Sequence, residues 1–308
     1  MRSRRRLAPG FLLGVLVPIV ACTGSASVVP TRSSDAIVVA AFGFTESEIL
    51  AELYAQALEA EGYPTRPVLI AGPRELVQPA LAEGLIDVVP EYAGSALTFL
   101  TVGATEGSAS IDATHDALRR VVSPLGVVAL APARAQDSNA IVVTRTTADR
   151  FGLREISDLA TSASELVFGG PPECQERHLC LVGLESVYGI TFREFIPLDT
   201  GGPLTLQALR SGGIDVALMF TTDPAIGSEG LVVLTDDRRL QPSENVTPLV
   251  RREVLAEHGR GLVRSLDAVS ALLTTPDLRA MIGEVSEGRT PHAVAGTWLR
   301  ARGLIEST

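Results

Sequence analysis

A nine-residue segment recurs in this chain with six of its nine residues unchanged. Ala80-Leu-Ala-Glu-Gly-Leu-Ile-Asp87-Val88 returns 128 residues later as Ala208-Leu-Arg-Ser-Gly-Gly-Ile-Asp215-Val216. Each copy reads as the end of a helix, a glycine stop and a buried strand. The order of elements around the two copies also agrees. The chain is therefore expected to build two similar α/β lobes, each a mostly parallel sheet flanked by helices.

The flanking pattern supports this. Ala36–Ala41 is an apolar, β-branched run that predicts a buried strand. From Thr45, apolar residues at Ile49, Leu50, Leu53, Tyr54, Ala57 and Leu58 predict a helix closed by Gly62. Thr45 and Glu48 form an expected capping box. A strand at Val68–Ile70, a helix at Arg74–Glu83 and a strand at Ile86–Val89 complete the first unit. The second unit opens at Asn139–Thr144. It holds strands at Leu166–Phe168 and Leu231–Leu234 and a helix over Arg177–Val187. After Pro248 the chain reads as helices at Leu262–Leu273, Leu278–Val285 and Ala293–Arg302, which need the first lobe's sheet to cover. The expected division is residues 35–136 with 238–308 for one lobe and 137–237 for the other. Two crossings, near 134–138 and 235–245, would then form a hinge that closes around a ligand.

The 128-residue offset also maps Tyr92 onto Phe220. Both follow a parallel strand at its C-terminal end, where ligands bind in open α/β sheets. Two lobes facing each other are expected to offer one aromatic ring each across a cleft.

The first residues read as an address. Met-Arg-Ser-Arg-Arg-Arg is followed by an apolar stretch from Phe11 to Val20, too short to span a bilayer, and then by Ile19-Val20-Ala21-Cys22. Residues 1–21 are expected to be a signal peptide, with Cys22 as the lipidated first residue of the mature chain. Residues 22–34 would form a tether. In an exported protein, Cys174 and Cys180 are expected to pair as a disulfide.

Composition removes several functions. The net charge is −10, which argues against nucleic-acid binding. All 26 basic residues are Arg, so lysine chemistry is absent. There is no G-x-S-x-G, G-x-G-x-x-G or P-loop motif. His115, His178, His258 and His292 have no metal-ligand spacing. Asp236-Asp237 stands beside Arg238-Arg239 and reads as a solvated turn. No cofactor, metal or catalytic apparatus is implied, and an exported enzyme is the weakest reading.

From about Ala36 onward the chain resembles the osmoprotectant-binding lipoproteins of ABC importers, the glycine betaine, choline and carnitine class. The segments that carry the resemblance are Gly43-Phe-Thr-Glu-Ser47, Pro90-Glu-Tyr-Ala-Gly-Ser95, Tyr188-Gly-Ile-Thr-Phe192, Phe220-Thr-Thr-Asp223 and Leu234-Thr-Asp-Asp237. The resemblance implies a type II-like periplasmic-binding-protein fold and a small-molecule solute. It implies permease and ATPase subunits as partners, and a monomer is expected. It also implies a four-tyrosine box that holds a quaternary ammonium by cation–π attraction. The box positions read Tyr92, Asn139, Phe220 and Glu244 here. The carboxylate-binding lysine, threonine and arginine read Phe42, Ser95 and Arg177. Each lost ring removes roughly 0.5–2 kcal/mol of cation–π attraction, so a weakened betaine site is expected. A sensor or other surface lipoprotein on the same fold is the alternative.

Overall fold

The computed structural model describes residues 36–306, apart from 70, 106, 200, 201 and 229. The expected signal peptide, Cys22 and the tether lie outside the described residues.

The chain begins with β1 (Ile37–Ala40), α1 (Thr45–Ala60), β2 (Thr65–Val68), α2 (Arg74–Glu83), β3 (Val88–Tyr92), α3 (Ala93–Leu100), α4 (Ile111–Val122) and β4 (Val127–Ala129). It continues with β5 (Asn139–Thr144), α5 (Arg145–Phe151), β6 (Val167–Gly170), α6 (Leu181–Tyr188), β7 (Glu194–Pro197), α7 (Pro203–Ser211), β8 (Val216–Phe220), α8 (Pro224–Ser228) and β9 (Leu231–Val233). It closes with β10 (Val246–Arg251), α9 (Arg252–Leu272), α10 (Thr275–Ser286) and α11 (Pro291–Ala301).

These strands form two five-stranded sheets of matching plan. One has the order β2-β1-β3-β10-β4 and the other β7-β6-β8-β5-β9. The first three strands of each are parallel. The fourth, β10 or β5, runs antiparallel to both neighbours. That strand is delivered by the crossing from the other lobe. The two crossings are themselves bridged, Gln136 to Asn245.

The repeated Ile-Asp has a structural cause. Asp87 N–H donates to Val38 O at 2.9 Å, and the Asp87 carboxylate accepts from Val38 N–H at 2.8 Å. Asp215 does the same with Val167, at 2.9 Å each way. Each aspartate thus satisfies both polar groups of a buried residue on the neighbouring strand. The glycines before them, Gly84 and Gly212, end their helices at φ +83° and +72°, which only glycine adopts without strain.

Helices α9, α10 and α11 pack with α1 against the first sheet around Tyr54, Leu262, Leu266, Leu278 and Trp298, as the patterning requires. Several boundaries differ from expectation. The second strand closes at Val68, and α6 starts at Leu181, so Arg177 precedes it in a loop. The capping box at Thr45 does not form. Phe44 is the N-cap without a side-chain bond, and Thr45 is already helical. Ser47 Oγ instead accepts from Phe42 N–H at 2.9 Å, which fixes the loop before the helix. The Asp236 turn is anchored and not merely solvated. Its carboxylate accepts from the Tyr188 hydroxyl, from Leu240 N–H at 2.9 Å and from Gln241 N–H at 2.7 Å.

Candidate functional site

A cavity of about 570 Å³ opens where the C-terminal ends of β3 and β8 meet the two crossings. Ser95 from α3 and Glu244 from the second crossing line one side. Phe220, Asn139 and Arg177 line the other, with Asp137 from the first crossing. The structure therefore brings five sequence-predicted residues to one cavity: Ser95, Asn139, Arg177, Phe220 and Glu244.

Tyr92 and Phe42 are not among its lining. Tyr92 is 6% exposed, and its hydroxyl donates to Glu46 Oε1 at 2.7 Å. Phe42 is 4% exposed, with the Arg74 guanidinium 5.3 Å from its ring centre. Both rings stack on Phe44, at 6.2 and 6.1 Å between centres. Phe44 is the exposed member of this trio, at 44%. The equivalent place in the second repeat behaves differently, because Phe220 is 38% exposed and has no hydroxyl to satisfy. The two repeats thus place their aromatic residues differently, one in the packed interior and one in the cavity wall.

Asn139 is held by Leu179 of its own lobe and by Gln241 of the second crossing. Its Nδ2 donates to Leu179 O at 3.3 Å and to Gln241 Oε1 at 3.2 Å. Arg177 is largely exposed and pairs with Glu173 at 3.5 Å. It sits inside the loop closed by the Cys174–Cys180 disulfide, whose Cα atoms are 5.3 Å apart. That loop supplies much of the second lobe's contribution to the cavity wall.

Glu244 is 8% exposed and faces inward. Its carboxylate accepts from Ser95 N–H and from Ser95 Oγ–H, both at 3.0 Å. Burial pushes its pKa up to about 7, although the Ser95 bonds and the Arg74 charge oppose the shift. Asp137, on the first crossing, and Glu46, in the first turn of α1, are also raised. Burial is the main cause for both, and the Asp137 charge adds to the shift of Glu46. Thr222 Oγ1 donates to Asp137 at 2.8 Å. Behind Tyr92, Glu91 is fully buried and takes two bonds from Arg74, at 2.9 and 3.0 Å, and one from Gln78 at 2.7 Å.

Sequence reasoning missed Asp137, Gln241 and Glu46. The polar run Gln136-Asp-Ser-Asn139 just before an apolar strand was a usable signal for Asp137. For Glu46, an acid in the first turn of α1, the local sequence carries no such signal. Among the described residues, no group of three or more metal-ligating side chains comes together, and no helix is long and apolar enough to cross a membrane.

Comparison with known proteins agrees with this geometry. Residues 35–301 match the model of the substrate binding domain of ABC-type glycine betaine transport systems. A glycine-betaine-binding protein of Pseudomonas aeruginosa is 28% identical over 275 residues, covering 85% of this chain and 86% of its own. The glycine betaine-binding protein YehZ of Escherichia coli is 26% identical over 269 residues, covering 84% and 88%. A crystal structure described as a glycine betaine/carnitine/choline ABC transporter superposes with a TM-score of 0.80 at 23% identity. It covers 88% of this chain and all of that one. With two matching five-stranded sheets, a cavity at their junction and a family match over nearly the whole described chain, this protein belongs to the substrate-binding proteins of the glycine betaine class of ABC transport systems.

Proposed function

We propose that this chain captures a small solute outside the cytoplasmic membrane and hands it to an ABC permease driven by an ATPase. The observation that carries this reading is the junction cavity, bounded by both strand C-termini and both crossings. Lobes of residues 35–136 with 238–308 and of 137–237 would close on the solute as a monomer. The curated relatives named for glycine betaine support the osmoprotectant class.

The ligand box is altered. Glycine betaine is expected to bind weakly, because Asn139 and Glu244 stand where the family has rings and Phe42 where it has a cation. Ser95, Asn139, Arg177, Phe220 and Glu244 are the proposed ligand contacts, and Tyr92 and Phe42 support the first lobe from within. Thermal-shift screening of the mature domain against a panel of compatible solutes tests the reading. A tight ligand raises Tm by mass action. Silence across quaternary ammonium, hydroxylated and flat cationic solutes would defeat it.

Cys22 is proposed as the lipid anchor at the outer face of the membrane, with residues 1–21 removed. Cys22→Ala should shift the protein from the membrane fraction to the soluble one. Unchanged partitioning would defeat the anchor.

A further inference from the structure

The two crossings are related by the internal repeat, and each carries a carboxylate at the same place. Val246 pairs with Tyr92, and Asn139 pairs with Phe220. Two residues earlier stand Glu244 and Asp137. The two are also neighbours, since Asp137 N–H donates to Glu244 O at 3.3 Å.

Each carboxylate fills the chain segment that follows the central strand of its lobe. In the first lobe that segment is the start of α3. Ala93 N–H donates to Asn245 O at 3.2 Å, and Gly94 N–H donates to Ser243 O at 3.1 Å. Ser95 N–H donates to the Glu244 carboxylate. The three first-turn donors are therefore all taken by residues 243–245. A Cβ on Gly94 would stand 3.0 Å from Glu244 Oε1, so the glycine leaves the carboxylate its seat. In the second lobe, Thr221 N–H donates to Ser138 O at 2.9 Å, and Thr222 Oγ1 donates to the Asp137 carboxylate.

Such strand ends and helix starts ordinarily suit an incoming anion. Here Glu244 takes Ser95 N–H at α3, and Asp137 takes the Thr222 hydroxyl just before α8, whose Ala225 N–H goes to the Asp223 carboxylate at 2.8 Å. Of the cations nearby, Arg74 is committed to Glu91 by two bonds, while Arg177 is exposed and shares its charge with Glu173 at 3.5 Å, so neither sets a buried, unshared positive charge against the two carboxylates. Phe220 offers a ring face in the same cavity.

We propose that Glu244 and Asp137 are built-in anions that set the specificity of this cavity, selecting an organic cation without a carboxylate over a zwitterion with the same head. The inference rests on the solute-binding reading above and deepens it. A carboxylate on the ligand would meet two negative groups and find no first-turn N–H at α3 to receive it.

The test is calorimetry on the mature domain at about pH 8, above the raised pKa values of both carboxyls. Choline and glycine betaine are the probes, since they share a head and differ in the carboxylate. Choline is expected to bind at least about ten-fold more tightly, equivalent to about 1.4 kcal/mol. Glu244→Gln and Asp137→Asn keep shape and remove charge, and each should narrow that ratio. Glu244→Asp, which keeps charge, should retain more of it than Glu244→Gln does. Tm of each variant establishes that it is folded, and Ser95→Ala provides a second route to a loosened Glu244. Equal or tighter betaine binding by the parent would overturn the inference. An unchanged ratio in both neutral variants would do so as well. Binding of neither probe would also overturn it. The solute panel separates the two levels: a zwitterion that raises Tm leaves the binding function standing while the cation preference falls.

Discussion

The Tyr92 hydroxyl donates to the Glu46 carboxylate at 2.7 Å, between two side chains that are each 5–6% exposed. The bond joins the end of β3 to the first turn of α1. It also explains why this ring turns away from the cavity, while its repeat counterpart Phe220 stays in the wall. A buried phenol needs a polar partner, and Glu46 provides one.

Tyr92→Phe is therefore expected to cost stability. Removing the donor leaves a buried carboxyl with one partner fewer, worth about 1–3 kcal/mol. Ligand affinity should change little. Phe220→Ala should do the reverse, with roughly 0.5–2 kcal/mol lost from binding a cationic solute. Denaturant unfolding and calorimetry on the two variants separate the effects. Equal affinity losses in both would refute the distinction.

The raised carboxyls make stability depend on pH. Glu244 moves from an ordinary 4.5 to about 7 in the folded chain. A group raised on folding stabilises fully below its unfolded pKa, and the contribution is lost as pH rises through the folded one. The unliganded domain should therefore have a higher Tm near pH 5 than near pH 8. The Glu244 part is about 3 kcal/mol, because each tenfold change in proton affinity is worth about 1.4 kcal/mol. Asp199, Asp237 and Asp277 are lowered, so their contribution fades only at more acid pH. Glu244→Gln should flatten the slope. A Tm that rises from pH 5 to pH 8 would contradict the assignment.

Arg74 and Glu91 form a part-buried pair behind the site, with side chains 24% and 0% exposed. Arg74→Met removes two bonds to a carboxylate that cannot reach water. A loss of about 3–5 kcal/mol is expected. Glu91→Gln in the same chain should recover part of it, because the unpaired charge is gone. Urea midpoints of the single and double variants measure this.

The Cys174–Cys180 loop carries Arg177 and lines the cavity, so its closure bears on both stability and binding. Intact mass after thiol labelling of the unreduced protein should show no free thiols at these positions. Reduction should cost roughly 2–2.5 kcal/mol, by the entropy of so small a loop. It should also weaken ligand binding, because Arg177 and His178 lose a fixed backbone. Two labelled thiols without reductant would remove the basis of this prediction.

The lobes were legible in the residue pattern because their causes are local. Apolar periodicity marks β1, α1 and α2, and Gly84 and Gly212 stop helices through a backbone geometry that belongs to glycine. The Ile-Asp repeat pointed to two copies of one unit, and the structure supplies its reason in the reciprocal bonds of Asp87 with Val38 and Asp215 with Val167. The direction of each site side chain was not legible. Tyr92 and Phe220 hold equivalent places, yet one is drawn inward by Glu46, 46 residues away in sequence. Glu244 faces the cavity because Ser95, 149 residues away, receives its carboxylate. Local spacing decides where a chain can turn and which face it buries. Which buried polar group finds which partner depends on desolvation and on distances that exist only after distant segments have packed together.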